Sequence, residues 1–216
     1  KRITGGKNGY GAKLTNIFSK TFTITTVDKN RNLQFVQEFR NNMSYKGKPT
    51  ITKVNKNPYT KISYIPDFKK FNIEGYTDDM IALMTKRVYD IAAWTDNTVN
   101  VYLNGKKLNI NSFEKYTTLY LGNKTKCPRV YEMCNDRWEI AAALNPNQVF
   151  DQVSFVNGVD TVRGGKHVDY VTNNITKKLV AYINKKKKVS VKPSHIKSNI
   201  IVFVKSSIVN PSFDSQ

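Results

Sequence analysis

The chain has 216 residues, room for one large domain or two small ones, and its 39% hydrophobic and 12% aromatic content excludes disorder by composition. No apolar run approaches the roughly 20 residues of a membrane span, and two cysteines without C-x-x-C spacing or neighbouring histidines exclude a disulfide scaffold and disfavour a zinc site. The formal net charge of +19 points to a polyanionic partner, nucleic acid or nucleotide, unless the abundance of Lys and Asn is compositional drift.

The first readable element is Gly6-Lys7-Asn8-Gly9-Tyr10-Gly11-Ala12-Lys13, running into Leu14, Ile17 and Phe18 at helical spacing. Glycines permit positive φ and close approach to the main-chain amides. A glycine-rich loop feeding a helix N-terminus, with Lys7 and Lys13 beside it, suits an anion such as a polyphosphate. A plain turn before a helix is the alternative. No apolar strand precedes the glycines, so a dinucleotide fold is disfavoured.

Residues 21–27 and 33–39 are β-branched or aromatic strands joined by the polar turn 28–32, residues 41–57 form a polar loop, and Tyr59 to Ile65 is a strand ended by Pro66. Thr77 to Ala93 is a helix with Ile81, Met84, Val88, Ile91 and Ala92 as its stripe and Lys86, Arg87 and Asp90 on its solvated face. Asn104-Gly105 turns a hairpin between residues 99–103 and 108–110.

In the second half, Val130 to Met133 and Trp138 to Leu144 are strands, the latter with Trp138, Ile140, Ala142 and Leu144 on one face. Residues 148–156 make a further strand. Gly164-Gly165 leads into a helix from His167 to about Asn184, striped by Val168, Val171, Ile175, Leu179, Tyr182 and Ile183. Residues 199–209 are apolar on both faces, as a central strand requires. Strand, helix and strand make a βαβ crossover, and the whole reads as α+β. The run Lys185, Lys186, Lys187, Lys188 either complements a helix C-terminus as a solvated tip or contacts a phosphate backbone. His167 and His195 read as structural.

Several of these strings together resemble the eukaryotic-type (or viral) type IIA DNA topoisomerases, in the GHKL class of ATPases. Residues 6–13 with Leu14-x-Asn16-Ile17-Phe18-Ser19 are similar to that family's ATP lid. Lys86-Arg87-Val88-Tyr89-Asp90-Ile91 with Leu103-Asn104-Gly105 departs from the family string only in Lys86, which stands for Arg. Residues 154–168, with Gly158, Thr161, Gly164, Gly165 and His167, resemble the transducer signature, and residues 210–216 resemble the approach to the ATP-sensing loop. The resemblance implies a partial GHKL (Bergerat) α/β sandwich over residues 1–110 and a transducer domain of the ribosomal S5 domain 2-like type over 111–216.

It further implies ATP with Mg²⁺ as cofactor. ATP would be held by Gly6, Lys7, Asn8, Gly9, Tyr10, Gly11, Ala12 and Lys13, with Gln216 opening the sensing loop. Lys7 replaces an Arg usual in the family, so bidentate clamping there is in question. The family's catalytic base, a Glu, and its metal ligand, an Asn, precede the lid and fall outside this chain; no catalytic residue is assigned here, and the segment alone is expected to be inactive. A DNA duplex is the implied partner, contacted by Lys185 to Lys188, with homodimerisation at an N-terminal gate and no membrane. A nuclear location follows, or a cytoplasmic replication site for a virus. Lys1 rather than Met opens the chain, so a fragment is expected. Two other functions fit less of the chain: a non-enzymatic basic nucleic-acid-binding module, and another GHKL ATPase.

Overall fold

The computed structural model describes residues 1–187 and 189–214; Lys188, Ser215 and Gln216 lie outside the described residues. The chain forms two compact units, Gly6–Asp78 on one hand and Lys1–Gly5 with Asp79–Gln216 on the other.

In the first unit, α1 (Tyr10–Ile17) precedes β1 (Ser19–Asp28), β2 (Leu33–Arg40), β3 (Tyr45–Lys46), β4 (Thr50–Lys53) and β5 (Tyr59–Pro66). The sheet order is β3-β2-β1-β5, with β4 also on β2. β1 pairs antiparallel with both neighbours, placing Ile24 opposite Gln37 and Ile62. The expected hairpin turn is held by Asp28, whose carboxylate accepts the N–H of Asn30 at 2.9 Å. The polar loop expected over 41–57 contains two short strands, β3 and β4, and is otherwise irregular. Asn41, Asn42 and Met43 all take positive φ, which folds the chain back, and the Gly47 N–H then donates to the Glu38 carbonyl at 2.8 Å. These strands are exposed and carry no apolar alternation, so periodicity has nothing to detect there. Phe22 and Val27 form the small buried core.

In the second unit, α2 (Asp78–Trp94) is followed by a hairpin, β6 (Tyr102–Leu103) and β7 (Lys106–Lys107). Asn104 and Gly105 both have positive φ, as a type I′ turn requires. Next come α3 (Phe113–Leu121), β8 (Arg129–Asn135), β9 (Trp138–Leu144), β10 (Asp151–Val156), β11 (Val159–Asp160), α4 (Lys166–Lys187), α5 (Pro193–Lys197) and β12 (Ile200–Ser206). The strand order is β11-β10-β12-β9-β8. β12 lies parallel to β10 and antiparallel to β9, so α4 carries the expected crossover and the unit is α+β.

Helices cover both faces of this sheet. On one, Ala93 of α2 and Phe113 and Tyr116 of α3 meet Ala141, Ala143, Val153, Phe155, Ile201 and Phe203. On the other, Val168 meets Ile200 and Val202, with Ala142 and Ile175 beside them. The expected apolar face of β9 is therefore the less buried one, since Leu144 is exposed and Ala141 and Ala143 turn into the larger core. The sequence reading assigns no element to α3, which Ser112 caps by accepting the Lys115 N–H at 3.1 Å.

Candidate functional site: the glycine loop and two charged clusters

The N-terminus of α1 is open. Gly9, its N-cap, sits in the left-handed region at φ 66°, and no side chain caps the helix. Helical geometry leaves the first amides without an acceptor four residues back, so those of Tyr10, Gly11 and Ala12 point outward from the helix start. Gly6 through Lys13 are all exposed. A Cβ added at Gly6, Gly9 or Gly11 would meet no atom within 4 Å. That space, two lysines and the positive end of a helix fit the oxygens of a polyphosphate. The loop is neither buried nor paired into the sheet. The apolar face expected of α1 does not form a core here: Leu14, Ile17 and Phe18 are exposed, while Asn16 is buried.

Lys185, Lys186 and Lys187 form the exposed last turn of α4. Asn184 Oδ1 accepts the Val191 N–H at 2.9 Å. Lys188 and Gln216 lie outside the described residues. Gly164 and Gly165, at φ 72° and 142°, precede α4, and the Gly165 carbonyl accepts the N–H of Val168 at 2.9 Å. His167 bonds Thr161 Oγ1 through Nε2 at 2.9 Å, consistent with the structural role expected of it. Burial pulls its pKa below the ordinary histidine value, opposed by Asp169. Cys127 and Cys134 are free thiols, and no group of three or more His, Cys, Asp or Glu able to hold a metal occurs among the described residues.

Asp90 is not on a solvated face. Its side chain is 5% exposed, and that of Asp160 on β11 is 8%. Lys86 Nζ reaches Asp90 at 2.9 Å and Asp160 at 3.0 Å, while Arg87 Nη1 reaches the same pair at 3.2 and 2.9 Å. Tyr116 donates its hydroxyl to Asp90 at 2.5 Å. The two buried carboxylates are each paired with both cations, which themselves remain partly exposed. Desolvation pulls Lys86 down, but its bonds to Asp90 and Asp160 outweigh that and hold its pKa above the ordinary value. Burial, then the bond to Asp90, pushes Tyr116 up, so it stays a donor. A second cluster holds the end of α2, where Lys205 pairs with Glu139 at 2.7 Å and lies over the Trp94 ring. Helical periodicity misses both clusters because Asp160, Tyr116, Glu139 and Lys205 are brought in from elements far away in sequence.

A family description, DNA gyrase B, matches residues 95–216. DNA topoisomerase 2 of Arabidopsis thaliana is 50% identical over 224 residues, covering 100% of this chain and 15% of the relative. The Saccharomyces cerevisiae DNA topoisomerase 2 is 43% identical and likewise covers the whole chain, which spans 16% of it. The chain thus corresponds to a small part of these relatives' length. Among solved structures, the ATPase region of Saccharomyces cerevisiae topoisomerase II superposes with TM-score 0.88 at 45% identity, covering 100% of this chain and 56% of that one. The ATPase and transducer domains of DNA topoisomerase II from Balamuthia mandrillaris give TM-score 0.89 at 41% identity, with 55% of that chain covered.

Proposed function

Since the chain belongs to the DNA gyrase B family, we propose that it acts as the lid and transducer segment of an ATP-driven type II DNA topoisomerase. The observation that carries this reading is the open start of α1, led by Gly9 in the left-handed region, at the place where the chain resembles the family's ATP lid. The amides of Gly9 to Ala12 would donate to triphosphate oxygens, assisted by Asn8, with Lys13 as charge partner and Lys7 beside it. When bound, Mg²⁺ neutralises charge on the β- and γ-phosphates; its ligand and the catalytic base belong to sequence outside this chain. The remaining task of these residues is to bind, orient and report. Nucleotide binding would close a homodimeric gate, and the second half would relay that state to the DNA-cleaving part. We place the family domain boundary near residue 110, DNA contact at Lys185 to Lys188, and the parent protein in the nucleus or at a viral replication site.

The test is binding of a non-hydrolysable ATP analogue with Mg²⁺ to the full-length protein. Lys7 and Lys13 are exposed, so Lys7→Ala and Lys13→Ala should fold normally. Lys13→Ala should weaken binding about tenfold or more, the worth of one hydrogen bond to a charged group. Wild-type affinity in both variants would overturn the lid assignment.

A further inference from the structure

We infer that one end of the first unit's sheet, formed by the 28–32 turn and residues 53–57, is a docking surface for the phosphate backbone of a DNA duplex, with Lys29, Arg31, Lys53 and Lys56 as its cations. This rests on reading the chain as part of a DNA topoisomerase, and it adds a surface separate from both the glycine loop and the lysines of α4.

Strand register brings these residues together. Val27 on β1 stands opposite Gln34 on β2 and Tyr59 on β5, and Leu33 at the start of β2 stands opposite Lys53 at the end of β4. The Asn32 carbonyl then accepts the Val54 N–H at 2.9 Å, which fastens the 53–57 segment to the turn. A cleft of about 480 Å³ lies there, lined by Asn32, Lys53, Val54 and Asn55. Neighbouring strands are about 4.8 Å apart, so the β1–β2 turn and the end of β4 offer cations over a width of about 10 Å. Phosphates on one DNA strand rise by about 3.4 Å each, so that width meets about three of them.

The charge at this end is uncompensated. Lys29, Arg31, Lys53 and Lys56 are all exposed. From residue 20 to residue 61 the only acids are Asp28 and Glu38. Glu38 lies toward the other end of β2 and pairs with Arg40 at 2.7 Å. Asp28 is occupied within the turn: Oδ1 accepts the N–H groups of Asn30 and Arg31 at 2.9 and 3.2 Å, and Oδ2 lies 3.7 Å from Arg31 Nη1. Among the described residues Lys29, Lys53 and Lys56 have no ion-pair partner, and Lys56 Nζ lies 3.5 Å from the neutral Gln34 Oε1. Like charges gathered on one surface repel, and a polyanion supplies the charge that the protein leaves out. The exposed side chains of Asn30, Asn32, Asn55 and Asn57 add amide donors of the kind that also bond phosphate oxygens. Ammonium groups act as point charges, so the contact follows the backbone without choosing a sequence.

The experiment compares two charge-matched variants of the full-length protein, Lys29→Gln with Lys53→Gln and Lys56→Gln, and Lys46→Gln with Lys48→Gln and Lys69→Gln. The second set is also exposed but stands at the opposite end of the sheet, where Lys46 faces Phe39 and Lys69 follows β5. Affinity for a random-sequence duplex is measured against salt concentration. The first variant should bind on the order of tenfold more weakly near 0.15 M salt, with a log–log slope flattened by up to about 0.9 for each phosphate lost, while the second stays within about twofold of wild type. Both should keep wild-type affinity for a non-hydrolysable ATP analogue. If the first triple variant fails to fold, Lys29→Gln and Lys56→Gln singly, each in a loop, decide the matter by the same comparison. Equal losses in the two sets would mean that net charge alone acts, and would overturn the inference, as would no loss in either. Unchanged duplex affinity with lost binding of a polyglutamate peptide would assign the surface to an acidic protein and overturn it too. Each of these results leaves the topoisomerase reading intact; a wild type that binds no duplex removes that reading, and the inference with it.

Discussion

Gly5 and Gly11 are chemically identical and structurally opposite. At Gly5 the space for a methyl group is filled by Val159 and the Asn157 carbonyl, whereas at Gly11 it is empty. Gly5→Ala should therefore cost about 1–3 kcal/mol of stability through overpacking. Gly11→Ala should leave the unfolding midpoint unchanged or raise stability by up to about 1 kcal/mol, because alanine favours a helix start, yet weaken triphosphate binding. Denaturant titration beside analogue binding separates the two effects. His167 supplies the pH dependence. Its folded pKa is depressed by burial, so the unfolded chain takes up the proton first. Its contribution to stability is present above the ordinary histidine value near 6.5 and is lost as pH falls through the lower, folded value. Unfolding midpoints at pH 7.5 and 5.5 should show this loss, and His167→Gln should reduce the difference.

At the scale of elements, the sequence exposes whatever obeys a single period and hides whatever depends on partners. β1, β2, β5, α2 and α4 are legible as elements because apolar residues recur at two- or near-four-residue spacing, but the stripe does not mark the buried face of α2, where Ile81, Met84 and Ile91 are exposed and Asp90, Ala92 and Ala93 are buried. β12 is legible because it is apolar on both faces, and its burial pattern agrees. The glycine loop is legible for a different reason: its spacing is a property of the backbone it permits. β3 and β4 are held by register against β2, not by their own side chains. α3 buries Phe113 and Tyr116, which with Tyr120 recur at i, i+3 and i+7 behind the Ser112 cap, a helical signal to which the sequence reading assigns no element. Asp90 is hidden differently, because a carboxylate just after Lys86 and Arg87 in a helix looks like surface. Its burial is compensated by Lys86 and Arg87 of the same helix and by the Tyr116 hydroxyl that α3 brings to it. For α3, the cap is the exposed handle. Ser112→Ala should cost about 1 kcal/mol, read as a lower unfolding midpoint without loss of nucleotide affinity; an unchanged midpoint would mean the cap contributes nothing.

At the scale of the whole molecule, the charge of +19 leaves open where a polyanion would bind. Lys185 to Lys187 concentrate part of it on an exposed helix end, where the dipole already favours cations. Changing all three to Gln in the full-length protein should weaken DNA binding uniformly across sequences. It should also flatten the salt dependence by up to about 0.9 in log–log slope for each phosphate no longer neutralised. An unchanged slope would assign these lysines to the helix end alone. Lys29, Lys53 and Lys56 concentrate another part at one end of the first unit's sheet. The family resemblance implied a role for the α4 lysines but none for that sheet end.

The position of β12 has a consequence for synthesis. Among the described residues it is the last strand in sequence, and it is the middle one in space, standing between β10 and β9. While the chain emerges from the ribosome, β9 and β10 have no common neighbour, and β10 keeps an open hydrogen-bonding edge until Ile200–Ser206 has been made. The second unit should thus remain protease-sensitive in nascent chains stopped before that strand and become resistant abruptly once it has cleared the exit tunnel. A stalled-ribosome series would show the step.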